Sequence, residues 1–123
     1  MAEPTLGLIV LRSIHMEATL AFCRAIGLSF VEERHGSGPV HYSCLLGATV
    51  IEIYPGAAQD ALDHRGSGST LLGFNVDSLE VVLEGMRLLN VPIRTAPKTS
   101  GWGRRAVVQD PDGRAVELNE PVK

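Results

Sequence analysis

Met16-Glu17-Ala18-Thr19-Leu20-Ala21-Phe22-Cys23-Arg24-Ala25-Ile26 returns later in the chain as Leu79-Glu80-Val81-Val82-Leu83-Glu84-Gly85-Met86-Arg87-Leu88-Leu89. Met16 and Leu79, Glu17 and Glu80, Leu20 and Leu83, and Arg24 and Arg87 each stand 63 positions apart. Glu52, within Val50-Ile51-Glu52-Ile53-Tyr54, is matched by Glu117, within Ala115-Val116-Glu117-Leu118-Asn119, 65 positions on. Two copies of one strand-helix-strands unit follow from this. Repeated units of this size build a core between copies that cannot each bury their own apolar face. The cleft between them is the expected place for a site.

Working outward from the first helix, residues 6 to 12 read as a mostly buried strand. Ser13 to His15 cap a helix whose apolar positions Met16, Leu20, Cys23 and Ile26 recur every three or four residues and which ends near Gly27. Strands are expected at 28 to 33, 41 to 46 and 49 to 54, separated by the turn at residues 35 to 39 and the tight turn Gly47-Ala48. Residues 55 to 68 read as a flexible connector with one short helical turn around 59 to 62. The second copy repeats the order, with a strand at 70 to 76, a helix at 79 to 89, a strand near 92 to 95 and a loop at 97 to 103. Strands at 105 to 109 and 114 to 119 then flank the β-turn Asp110-Pro111-Asp112-Gly113. The expected fold is α+β, a single domain over 1–123 with βαβββ modules at about 5–55 and 69–120.

A chain of 123 residues suits one core and not two. No apolar run reaches the length of a membrane span, and no basic segment followed by an apolar stretch and a cleavage site opens the sequence, so a cytoplasmic protein is expected. A net charge of -3 with interspersed signs, and 6 scattered aromatics (Trp 1, Tyr 2, Phe 3), argue against a nucleic-acid partner. Cys23 and Cys44, without CxxC spacing, read as buried thiols.

This order of elements carries Met16-Glu17, Leu20-Ala21-Phe22-Cys23-Arg24 and Gly27-Leu28 in the first half and Val76-Asp77-Ser78-Leu79 in the second. It closes on Asp110-Pro111-Asp112-Gly113-Arg114 followed by Val116-Glu117-Leu118. In these features it resembles the vicinal oxygen chelate superfamily, which includes glyoxalase I, bleomycin-resistance proteins, extradiol dioxygenases and fosfomycin-resistance enzymes. The resemblance implies two βαβββ modules curled into one mixed sheet around a cleft, and a homodimer that completes or encloses the clefts. It also implies metal ligands on the first strand of each module and a Glu on each fourth strand. The glutamates map onto Glu52 and Glu117. The first-strand positions map onto Leu8 and Leu71, again 63 apart, and residues 5 to 11 and 69 to 74 contain no His, Gln, Glu, Asp or Cys. Catalytic zinc or iron sites keep about three protein ligands, so no metal cofactor is expected; were one bound, Glu52, Glu117 and His41 would hold it.

Strand alternation puts Glu52 and Glu117 on a cleft face. Without a metal, like charge and desolvation there would raise the pKa of at least one, leaving a general acid beside a base or a site for a cation. His41, on the strand beside Glu52, is either a replacement ligand or acid-base group, or a half-exposed strand histidine. His15, His35 and His64 fall in cap, turn and connector and read as surface residues. Trp102, between Gly101 and Gly103, either stacks on a ligand or lids the core. Arg104 and Arg105 alternate to opposite faces, so that Arg105 can meet an anion or neutralise a glutamate. Tyr54, Asn75 and Asn119 offer polar contacts, and Leu6, Leu8, Val10, Leu45 and Leu71 make the cleft apolar.

The function expected is binding of a small, partly apolar organic molecule in the cleft, a resistance-like sequestration in the manner of the bleomycin-resistance proteins. The scarcity of aromatics names no drug. The competing reading is an enzyme, a lyase, isomerase or dioxygenase, that completes a metal site with His41 or uses Glu52 and Glu117 directly. A third is a partner module with a filled cleft.

Overall fold

The computed structural model describes residues 3–57 and 70–123. The helical turn expected at 59–62, His64, Gly66 and Gly68 lie outside the described residues. The first half contains β1 (Leu8–Ser13), α1 (Met16–Ile26), β2 (Val31–Glu33), β3 (His41–Leu46) and β4 (Thr49–Pro55). The second contains β5 (Leu72–Asn75), α2 (Leu79–Leu88), β6 (Ile93–Ser100), β7 (Gly103–Gln109) and β8 (Ala115–Pro121). Each half closes its own four-stranded mixed sheet, in the orders β1-β4-β3-β2 and β5-β8-β7-β6, with β1 parallel to β4 and β5 parallel to β8. The fold is α+β, an open curled arrangement of two βαβββ units. Among the described residues no helix is long and apolar enough to cross a membrane.

Both helices pack on one side of the sheets. In α1 the fully buried positions are Thr19, Phe22 and Cys23, with Met16, Leu20 and Ile26 flanking them at the edge of the core. In α2 they are Leu79, Val82, Leu83 and Met86. These meet Ile53, Ala106, Val108, Val116 and Leu118, the strand residues that point toward the helices. Burying each larger side chain of this set is worth about 2 kcal/mol. Alternation then fixes the opposite, open face of each sheet.

The helix ends are set locally. Gly27 stands at φ 115°, and its N–H and that of Leu28 close back on the carbonyls of Cys23 and Arg24, as glycine permits in this conformation. Ser78 Oγ accepts from the Val81 N–H at the start of α2, and Asn90 takes the left-handed turn after it at φ 59°. β1, β5, β7 and β8 shift by one or two residues at their ends, and two boundaries differ more. β2 begins only at Val31, because Leu28 is buried as part of the α1 exit. Residues 97 to 100, expected in a loop, belong to β6: it is the sheet's outer strand, where Pro97 removes no needed donor, and register shifts between Thr95 and Lys98 accommodate it.

Candidate functional site

On the open face of the first sheet the pairing arranges side chains in rows. Glu33 lies opposite His41, and Arg12 opposite Tyr54. Tyr42 faces Ile53, which brings His41 beside Tyr54. The row therefore reads Glu33, His41, Tyr54, Arg12 across four strands. The next row is Val31, Ser43, Glu52, Val10, and the next is apolar, with Leu45, Val50 and Leu8. His41 is 1% exposed and stacks on Tyr54, ring centroids 4.2 Å apart and planes 7° from parallel. Arg12 sits over the same ring at 5.1 Å. His41 Nε2 lies 3.4 Å from Glu33 Oε1 and 3.5 Å from Glu52 Oε2, and His35 Nε2 lies 3.9 Å from that same Glu33 oxygen.

The second sheet carries the matching positions with different chemistry. Glu117 faces Gly73, and Arg105 faces Asn119 beside Asn75. Arg105 Nε donates to Glu117 Oε1, and Asn119 Nδ2 donates to Oε2 at 3.1 Å. The Asn119 hydrogen bond and then Arg105 hold the Glu117 carboxyl below its ordinary value. The raised pKa expected for a bare cleft glutamate is therefore corrected at Glu117: two donors outweigh the desolvation there. A shallow depression of about 270 Å³ brings Asn75, Trp102, Arg105 and Asn119 together. Trp102 stands at the β6–β7 turn, 88% exposed, and does not lid the core. Arg104 turns to the helix side, where it reaches Glu80 at 3.3 Å.

The candidate residues thus divide into two groups, His41, Glu52 and Tyr54 on one sheet and Glu117, Asn75, Arg105 and Trp102 on the other. Leu8 and Leu71, at the first-strand positions, are 54% and 48% exposed. A metal shared between the halves does not fit this donor set: two of its positions are hydrocarbon, and Glu117 is already engaged by an arginine and an amide. The acidic and imidazole groups that do converge are Glu33, His35, His41 and Glu52. Glu33 was not singled out in the sequence, and His35 was read only as a surface residue of the turn, which its exposed ring fits. The signal for Glu33 was its hairpin register with His41 across the turn at residues 36 to 39.

A third feature lies between the halves. A cavity of about 360 Å³ opens between α1 and β1 and β5, the edge strands of the two sheets, lined by Ile9, Leu11, Phe22, Ile26, Leu72 and Phe74, with Thr19, Asp110 and Arg114 at its polar end. Arg114 Nε donates to Asp110 Oδ2 at 2.7 Å and Nη1 to the Arg12 carbonyl at 2.9 Å, while the buried Nη2 has no hydrogen-bond partner. Asp112 spans the halves: its Oδ2 accepts from Ser13 Oγ at 2.6 Å and Thr19 Oγ1 at 3.1 Å, and its Oδ1 from the Ile14 N–H at 3.0 Å. Cys23 and Cys44 are free and buried. Burial, helped by the Asp110 charge, pushes the Cys23 thiol up to about 12, so it is no nucleophile.

The same fold occurs in solved structures of several proteins. An antibiotic-binding protein from Streptomyces sp. CB03234, TnmS3, is 21% identical at a TM-score of 0.71, over 99% of both chains. The fosfomycin resistance protein FosX from Listeria monocytogenes, solved with Mn(II) and sulfate, is 20% identical at a TM-score of 0.70, over 99% of this chain and 93% of that one. The bleomycin resistance determinant encoded on transposon Tn5 is 20% identical at a TM-score of 0.65, over 98% and 100%. No protein of curated function matches the sequence. The doubled βαβββ architecture is what these structures share, and at the level of sequence residues 5–118 match a single family model: the chain belongs to the glyoxalase/bleomycin resistance protein/dioxygenase superfamily.

Proposed function

We propose that the protein binds and sequesters a small, partly apolar organic molecule in the cavity between its halves, with no metal held across them. The observation that carries this reading is an apolar chamber of about 360 Å³ with one buried, unsatisfied donor, Arg114 Nη2, at its end. Small-molecule sites have this character, mostly hydrocarbon with a few directed polar groups. Arg114 Nη2 has Asp112 Oδ2 at 3.6 Å but makes no hydrogen bond; a buried donor left so costs about 1–3 kcal/mol, and a ligand carboxylate or carbonyl oxygen removes that cost while its apolar body covers Ile9, Leu72 and Phe74. The antibiotic-binding and resistance relatives support the same class of ligand. Thermal shift and equilibrium dialysis against a panel of drug-like carboxylates, with mass spectrometry of the recovered compound, test the proposal. A stabilising compound returned unchanged is expected, and Leu72→Trp, which fills the chamber, lowers its affinity about tenfold or more, as the loss of a buried apolar contact of this size implies. Equal binding by that variant, or turnover of the compound, would overturn it.

We infer also that a second copy of the chain covers the open face of the first sheet. Leu8, Val10 and Leu45 stand exposed side by side there, a contiguous apolar patch of the kind that marks interfaces. Sedimentation giving only a 13.2 kDa species at working concentration would remove this part of the proposal.

A further inference from the structure

We infer that Glu33, His35, His41 and Glu52 form a binding site for one divalent transition ion, zinc or a neighbour of similar chemistry, lying wholly within the first half. One ligand atom from each of the four residues falls within 4.8 Å of the others. A tetrahedral ion with arms of about 2.0–2.2 Å places its ligands about 3.3–3.6 Å apart. His41 Nε2 stands at 3.4 Å and 3.5 Å from the two carboxylates, and the His35–Glu33 edge is 3.9 Å. Two of these three edges have that spacing and the third is about 0.3 Å wider.

The independent observation is the state of His41. Its Nδ1 lies 3.3 Å from the Pro39 carbonyl oxygen, which orients the ring from that side. Nε2, in a ring that is 1% exposed, faces the Glu33 and Glu52 carboxylates and has no hydrogen-bond partner among the described residues. A histidine oriented through its other nitrogen by a backbone carbonyl is the usual second contact of a metal-bound imidazole. The stack on Tyr54 fixes the ring plane. Two imidazoles and two carboxylates select a first-row transition ion over calcium or magnesium, which take all-oxygen shells. The position uses β2, β3, β4 and the turn after β2, and needs nothing from Leu8, Leu71 or Glu117.

Calorimetric titration of Zn²⁺ into untagged, chelator-stripped protein, with Co²⁺ absorption as a report on geometry, tests the site. One ion per chain and the intense visible bands of tetrahedral Co²⁺ are expected. His35→Ala, at a solvent-exposed ring, and Glu33→Gln each weaken Zn²⁺ binding by at least about tenfold, the loss that removal of even an outer partner brings. The ion-free melting curve of His35→Ala stays that of the parent, which separates ligand loss from misfolding. No heat and no spectrum with either ion would overturn the inference. Full affinity in both variants would overturn it as well, as would a loss confined to Glu117→Gln, which would put the ion in the second half.

Discussion

Glu117 shows how two neighbours set the state of one group. Its carboxyl is held ionised by Asn119 and Arg105, below the ordinary value of 4.5. A carboxyl whose folded-state pKa is depressed contributes stability that is complete above its unfolded value and is lost as pH falls through the lowered folded value. Glu117→Gln is therefore expected to cost about 1 kcal/mol near neutrality, a figure discounted for partial exposure, and to unfold with a flatter acid limb. Urea melts from neutral pH down through the carboxylate range check this: the two proteins should converge at the acid end, and a constant gap would show that the pairing is not what Glu117 supplies. Both matched glutamates of the repeat were legible in the sequence, and so was His41 as a group beside Glu52. Glu33 and His35 were not, because they enter the cluster only through the register of β2 on β3, and a turn histidine carries no local mark of the ring it will face. Alternation put Arg104 and Arg105 on opposite faces but did not say that Arg105 would engage Glu117, and the Asn119 contribution required knowing which amide rotamer the strand would hold.

The elements repeat with the same logic at a larger scale. Helix positions, the tight turns and the Asp-Pro-Asp-Gly turn were all readable, since each rests on residues within a few positions of one another. The full length of β6 was not, because an outer strand tolerates a proline that an inner strand would reject. The turn between β6 and β7 supplies the sharpest test of backbone constraint. Gly103 adopts φ 133°, and a Cβ there would lie 2.2 Å from the Glu120 carbonyl oxygen of the paired strand. Gly101, two residues earlier in the same turn, has open space around that position. Gly103→Ala is expected to destabilise by about 3 kcal/mol, from strain at positive φ together with the displaced strand, while Gly101→Ala stays within about 0.5 kcal/mol of the parent. Thermal melts of the pair check this, and similar losses in both would assign the cost to the turn as a whole.

At the scale of the molecule, the halves were expected to share one core, and they do, but the cavity between them was invisible in the sequence. It arises from the distance between β1 and β5, two strands that pair only within their own sheets, and no residue pattern encodes a gap. Its polar end rests on Asp112, which joins the second half's last turn to Ser13, Ile14 and Thr19 of the first. Asp112→Ala removes all three bonds and leaves Arg114 without its 3.6 Å neighbour; a loss of about 3 kcal/mol is expected, from buried groups left unsatisfied. Chemical denaturation followed at Trp102 in the second half and by a probe in the first checks it. A small loss would mean that the helix packing alone aligns the halves. Among the described residues no ladder hydrogen bond joins one sheet to the other, and the polar bonds between halves gather around Asp112 and Arg114 at one end. The molecule is therefore bound like a book, two covers fastened at the spine, and the guest proposed for the gap would slip between the pages without tearing a single strand from its sheet.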